Sequence, residues 1–338
     1  MRVSKLILGC GNFGGIGSSP AFFGRGESRE EAFVLMDAAW DAGITTFDTA
    51  DAYGGGRSES WIGAWLGTKG SDVRDTIVLS TKVFNPMDEG ADHGLAPERV
   101  KRQLESSLRR LGVEHVQMYL THEPDPDVPI AETLGALDEL VREGKVGAVG
   151  VSNVGGAQLR EALAAPGAGP GEGHDPGLAP GVFAGKGLRP PAGTRCAWVQ
   201  NSYSLLDREA EREVLPLCEE EGLGFTPFSP LAGGWLTGKY ARGAEAPAGS
   251  RMTQRPEPYA HFVESDAVWR GLDGLAAAAA ARGTSQAALA LAWLLAEPRV
   301  TAVVVGPRRP EHLEPALTAL AHPATPDERS ELARLFDL

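Results

Sequence analysis

Four side chains of complementary type follow apolar runs between residues 48 and 122. Asp48 and Tyr53 lie in "FDTADAYGGGRSE", Lys82 in "STKV" and His122 in "YLTHEPD". A tyrosine hydroxyl titrates at about pH 10 unaided, so it is a poor acid at neutral pH. A nearby ammonium favours the phenolate and lowers that value. Lys82 can supply the charge, and Asp48 can pair with Lys82 and hold it. His122 can hydrogen-bond a substrate carbonyl and orient it. Together the four make a proton donor for a carbonyl oxygen that is becoming an alkoxide. No side chain supplies a hydride, so a cofactor must. Taken singly, each residue has a plainer reading: an Asp as a turn cap, a Tyr as half-core, a Lys as solvated, a His as structural. The combination counts against those readings, because lysine occurs seven times in the chain and Lys82 ends a buried run.

Those residues need a frame that brings their ends together. Eight short apolar runs read as strands: "KLILGC", "TTFDTA", "TIVLSTK", "VQMYLT", "VGAVGVS", "AWVQNS", "GFTPFS" and "TAVVVG". Helical spacing lies between them. Val100, Leu104, Leu108 and Leu111 share one face over 97–112, with Pro97 in the first turn and Gly112 past the end. Ile130, Leu134, Leu137 and Val141 repeat the pattern over 129–144, closed by Gly144. Near-continuous apolar strands suit parallel strands covered on both faces. Eight such units predict an α/β fold, a (β/α)8 TIM barrel, formed as one domain over residues 1–338. A Gly/Pro-rich inserted loop at about 165–194 interrupts the rhythm with nine glycines and six prolines. We expect most of it at the N-terminal rim. The irregular stretch 240–262 follows the seventh strand and is the better candidate for a lid on the active face.

Composition narrows the function. The net charge of −13 argues against nucleic acid as a partner, because phosphate neutralisation needs clustered basic residues. The Ala-rich run near 274–296 is broken at Arg282, Gly283 and Thr284, so we expect two helices and no membrane span. Cys10, Cys196 and Cys218 show no metal spacing and read as reduced thiols of a cytoplasmic protein.

The cofactor site is not where "GCGNFG" at 9–14 first points. That stretch fits G-x-G-x-x-G, but Gly, Ser and Pro follow it, so no helix opens on its last glycine. In a barrel, phosphate commonly sits on the loops after strands seven and eight. Those loops hold Ser229 and Leu231, then Gly306, Arg308 and Arg309, which we expect to open the last barrel helix. Ser152, Asn153 and Gln200 suit a carboxamide, and Phe228 can stack on a flat ring.

Taken together, "FDTADAYGGGRSE", "STK", "LTHEPD", "VREGKVGAVGVSN" and "WVQNSYSLLDRE" resemble the segments that mark the aldo-keto reductase superfamily. The resemblance runs from about residue 5 to residue 317. It implies NAD(P)H-dependent reduction of an aldehyde or ketone on a (β/α)8 barrel without a Rossmann domain. Asp48, Tyr53, Lys82 and His122 match the catalytic positions. Ser152, Asn153 and Gln200 match the carboxamide positions, and Phe228 the ring that stacks on nicotinamide. "FSPLAGGWLTGKY" resembles the pyrophosphate loop. Arg308 and His312 match the first two positions of the adenosine-phosphate segment, whereas Pro315 and Ala316 stand where a Glu-Asn pair is usual. The two arginines point to NADPH (NADP+) over NADH, Arg308 contributing more. The partner implied is a small-molecule carbonyl substrate; the sequence does not set the oligomeric state.

Two other functions use the same residues differently. A metal-dependent hydrolase would draw on Asp48, Asp51, His122 and Asp125, but Lys82 beside the site would oppose a cation, and no metal is expected. A non-catalytic, cofactor-binding regulatory subunit of reductase-like fold would not need the four intact. Phe22, Phe23, Trp235, Tyr240, Tyr259 and Phe262 are the candidates for an apolar mouth.

Overall fold

The computed structural model describes residues 3–90, 92–165 and 196–337. All of the expected 165–194 insertion except Ala165 therefore lies outside the described residues. Eight parallel strands form, each in the run expected for it: β1 (Leu6–Gly9), β2 (Thr46–Asp48), β3 (Val78–Val83), β4 (Val116–Thr121), β5 (Val146–Ser152), β6 (Trp198–Gln200), β7 (Gly224–Phe225) and β8 (Val303–Val305). Their order is β7, β6, β5, β4, β3, β2, β1, β8. Among the described residues no ladder pairs β7 with β8. Instead the Thr301 N–H donates to Phe225 O (2.8 Å) and the Val304 N–H to Pro227 O (3.0 Å), which closes the (β/α)8 barrel.

The helices obey their sequence signals. Arg29–Asp41 opens on a capping box in which Ser28 Oγ accepts from the Glu31 N–H and Glu31 accepts from the Ser28 N–H. Pro97–Leu111 and Ile130–Arg142 form where the periodicity placed them, and Gly112 stops the first of them at φ +66°. The Ala-rich run makes Asp266–Ala281 and Gln286–Leu295, each capped by a serine hydroxyl. No helix among the described residues is long and apolar enough to cross a membrane. One expectation needs correcting. Arg308 and Arg309 do not open the last barrel helix: a short 3-10 turn, Pro310–Leu313, stands between them and Glu314–Ala321, and a further helix, Pro326–Arg334, follows. Two prolines, Pro310 and Pro315, divide what reads as one helix start.

Strand alternation divides the core. A large cluster of outward-facing side chains, among them Phe47, Leu79, Tyr119, Val151 and Phe225, packs against the helices. Smaller clusters of Val78, Met118, Leu120, Ala148 and Trp198, and of Ile7, Ala302 and Val304, lie on the other face, inside the barrel. Trp198 fills the interior so closely that a Cβ on Gly224 would meet its ring at 2.3 Å. Lys82 shares the inward phase of Val78 and Ser80 at the top of β3. That is why a lysine ends a buried strand.

Candidate active site

The tetrad is assembled by β2, β3 and β4. Asp48 is the last residue of β2, Lys82 lies in β3 and His122 directly follows β4. After β2 the chain keeps hydrogen-bonding to β3, through the Thr49 N–H to Ser80 O and the Asp51 N–H to Lys82 O. It then reverses at Tyr53–Gly56, where Gly54, Gly55 and Gly56 have φ of +60°, +68° and +86°. A side chain at Gly54 would strike Phe13 O at 2.6 Å. The glycines after the tyrosine are thus required by the turn that presents it.

Lys82 Nζ lies 2.6 Å from Asp48 Oδ2 and donates to Thr49 O at 2.8 Å. Both partners of this ion pair are buried. Asp48 Oδ1 accepts from Ser80 Oγ and from Gln200 Nε2, each at 3.0 Å. Tyr53 OH faces His122 Nε2 at 3.5 Å, and Lys82 Nζ sits 5.1 Å from the centre of the Tyr53 ring. Burial pushes the Tyr53 hydroxyl above its ordinary value, and Asp48 adds to the rise; Lys82 pulls it down. The sequence reading expected a net lowering. The direction of the lysine's effect is as expected, but desolvation outweighs it. Burial and the Lys82 charge both hold His122 well below its ordinary value, so it is neutral at physiological pH.

One cleft of about 1020 Å3 runs along this rim. Of the residues matched to catalytic and cofactor positions, Lys82 does not line it; Asp48, Tyr53 and His122 do, then Ser152, Asn153, Gln200, Phe228, Ser229, Leu231, Gly306, Arg308 and His312. Lys82 sits behind Asp48 and Tyr53. Asn153 holds φ +57° and Ser229 φ +52°, both left-handed. Asn153 Nδ2 donates to His122 O at 2.9 Å, which leaves its Oδ1 to accept from a ligand amide. Gln200 Nε2 is already engaged by Asp48. Ser229 Oγ meets Tyr259 OH at 3.1 Å. Of the aromatic residues proposed for the mouth, Tyr259 lines the cleft; Phe22, Phe23, Trp235, Tyr240 and Phe262 do not. Trp235 is instead packed with Tyr240, Phe262 and Trp269. The 240–262 stretch does border the cleft, through Gly249, Ser250, Arg251, Gln254, Arg255, Pro258 and Tyr259.

The cleft also contains residues that the sequence reading did not single out. Lys239 and Arg251 line it together with Arg308. The charges of Arg308 and Arg251 add to burial in lowering Lys239, so the three cations converge. Ser250 Oγ and His122 Nδ1 are buried on the cleft wall without hydrogen-bond partners. Gly306 has open space where a Cβ would stand. A flat half-buried aromatic, amide acceptors, an open glycine and three converging cations fit a nicotinamide dinucleotide with its phosphates. Arg309 does not line the cleft. Arg308 is not waiting free for a phosphate: its Nε lies 2.6 Å from Glu27 Oε1 and its Nη1 donates to Gly249 O at 2.7 Å. Pro315 and Ala316 line the far end and offer no side-chain donor there.

Asp51 and Asp125 do not join Asp48 and His122 in the cleft. Asp125 accepts from the Leu95 and Asp127 N–H groups. Asp51 is fully buried, its carboxyl reaches no side-chain donor, and it is pushed up to about 8 by burial first and by Glu59 second. Its stabilising protonated form is therefore present at low pH and is lost as pH rises toward about 8. Asp51→Asn is expected to raise the melting temperature more at pH 8 than at about pH 5, because only the native carboxyl keeps its proton across this window and the cost of that difference accumulates with each pH unit between the unfolded value of about 4 and the folded value of about 8. Thermal scans at both values test this. Equal shifts would show that Asp51 carries no such penalty.

A buried Lys–Asp pair thus lies behind a Tyr and a neutral His at the C-terminal rim of a parallel barrel. Comparison with known proteins gives the family. The model of the Aldo/keto reductase family matches residues 5–336, and the chain belongs to that family. It is 35% identical over 329 residues to "Uncharacterized oxidoreductase YrpG" of Bacillus subtilis, covering 95% of this chain and 88% of that one. It is 32% identical over 327 residues to a "Probable voltage-gated potassium channel subunit beta" of Oryza sativa, again covering 95% and 88%. Among solved structures it resembles the glycerol dehydrogenase AKR11B4 of Gluconobacter oxydans, with a TM-score of 0.75 and 25% identity over 98% of this chain and 91% of that one.

Proposed function

We propose that the protein reduces an aldehyde or ketone to an alcohol with NAD(P)H, with Tyr53 as the general acid. The observation that carries this reading is the buried Lys82–Asp48 pair beside Tyr53, opening on a cleft whose other end gathers Lys239, Arg251 and Arg308. When bound, the reduced nicotinamide supplies the hydride. Asn153, Ser152 and Gln200 would hold its carboxamide, Phe228 its ring face, and the three cations its phosphates. Neutral His122 orients the substrate carbonyl toward Tyr53. The Tyr53 hydroxyl passes its proton to the carbonyl oxygen as negative charge develops there, and Lys82 stabilises the phenolate left behind. A panel of aldehydes and ketones, followed by loss of reduced-cofactor absorbance with NADPH and NADH in parallel, tests the reading. Absence of oxidation across a broad panel by a cofactor-binding protein would count against it.

We take NADPH as the preferred cofactor, because three converging cations favour a further phosphate. Arg308→Ala is expected to weaken NADPH by roughly tenfold to more than a hundredfold, the worth of one hydrogen-bonded charge, and to leave NADH little changed. Titrations of both cofactors check it. An equal loss for both would remove Arg308 as a reader of the 2′-phosphate. The substrate is a small carbonyl compound, and three free buried thiols agree with a reducing, cytoplasmic setting.

A second reading is a cofactor-binding regulatory subunit. It is favoured by the relatives named as probable potassium channel β subunits, at 32% identity in rice and 31% in Arabidopsis. Binding without turnover across the carbonyl panel is its expected result.

A further inference from the structure

We propose that Glu27 is a specificity-determining residue for the cofactor, its carboxylate competing with a 2′-phosphate for Arg308 and so narrowing the preference for NADPH over NADH. This rests on the reading of the cleft as a nicotinamide-dinucleotide site. Glu27 and Arg308 both line the cleft, on the loops after β1 and β8. They meet at 2.6 Å, and side-chain exposure is 3% for Glu27 and 40% for Arg308. The carboxylate is the fixed partner. The Glu27 N–H donates to Asn12 O (2.9 Å), and Glu27 O accepts from the Gly14 N–H (3.1 Å). Next to it, a Cβ on Gly26 would stand 1.8 Å from Asn12 O, so this turn has no room to shift. The second oxygen, Glu27 Oε2, is buried and has no hydrogen-bond partner. Burial pushes the carboxyl above its ordinary value and Glu31 adds to the rise; Arg308 is the side chain that opposes it, without cancelling it. Glu27 therefore depends on Arg308 for compensation of its charge. Drawing the guanidinium toward a phosphate would leave a buried carboxylate unpaired, which is costly. A ribose hydroxyl makes no such demand. The same ion pair that orders Arg308 thus works against the 2′-phosphate and is indifferent to the 2′-hydroxyl.

Glu27→Gln keeps the side chain's shape and removes its charge. We expect it to tighten NADPH about tenfold, the size of one charge-assisted hydrogen bond, and to change NADH by less than about twofold. The measurement is the dissociation constant of each nucleotide by calorimetry or tryptophan quenching, without substrate, so turnover plays no part. An unchanged ratio of the two constants, with both nucleotides still bound by the wild type, overturns the proposal and leaves the functional reading standing. A wild type that binds neither nucleotide overturns the functional reading and this proposal with it. If the glutamine variant does not fold, Glu27→Asp carries the same test. It withdraws the carboxylate by one methylene and should shift the ratio the same way by a smaller factor; an unshifted ratio there also overturns the proposal.

Discussion

Tyr53→Phe is expected to lower turnover by roughly 10²–10⁴-fold, the usual contribution of a positioned general acid. The ring is retained, so its edge-on packing against His122 is kept. What disappears is the hydroxyl facing His122 Nε2. Cofactor binding should change little. Neither His122 nor Asp48 is a comparable proton donor. His122 is held neutral by burial and by Lys82, and Asp48 is committed to Lys82, Ser80 and Gln200. Steady-state turnover with a carbonyl substrate, together with a cofactor titration, separates the two effects. Near-full activity in the phenylalanine variant would remove Tyr53 from the chemistry.

Lys82→Met is expected to fall as far, about 10²–10⁴-fold, through loss of the same acid function. The reason is electrostatic. Burial already raises Tyr53, and Lys82 is the group that opposes the rise. Without the ammonium the phenolate left after proton transfer is unstabilised and Asp48 loses its counter-charge. Some loss of stability accompanies this, since removing one partner of a buried pair costs about 3–5 kcal/mol. A melting curve therefore belongs with the kinetics. Lys82→Arg should not restore activity, because a planar guanidinium cannot take the place of a compact ammonium held between Asp48 Oδ2 and Thr49 O. A fully active arginine variant would show that Lys82 does not tune Tyr53. In the wild type, reduction should be level through neutral pH and fall only at high pH, when Tyr53 loses its proton. An inflection close to the ordinary histidine value of about 6.5 would contradict the neutral His122.

The frame and the proposed catalytic rim were legible in the sequence because both are written locally. Each strand was a short apolar run, and Asp48, Lys82 and His122 stood at or next to the end of one, with Tyr53 in the turn that follows β2. The helix stops at Gly112 and Gly144 could be read from residue type. What the sequence hid was pairing between distant segments. Glu27 and Arg308 are 281 positions apart, and nothing near either residue announces the other. Arg308 therefore read as a free cation. Lys239, Arg251 and Ser250 were missed for a related reason. They lie after β7 in short turns and a four-residue helix, Arg251–Gln254, too brief for periodicity to say which side chains face inward. Trp235, by contrast, read as a mouth residue but folds into the aromatic packing beneath the loop. Composition marks such a residue as apolar and cannot say which surface it covers. Asp51 shows the reverse case. Its place in "DTADAY" invited a ligand role, yet the extension of the chain along β3 turns it into the interior.

The seam between β7 and β8 gives the cleft a mechanical meaning. Other neighbouring strands are joined by ladders; these two meet through the Thr301 and Val304 amides. The loops that leave these strands carry Ser229 and Leu231 on one side and Gly306 and Arg308 on the other. A molecule lying in the cleft and touching both sides bridges the join from above. It works like a clasp on a hoop, adding circumferential restraint where the wall is least stitched. Occupancy of the cleft and integrity of the barrel are then one linked equilibrium, and a ligand that dissociates returns the wall to its loosest point.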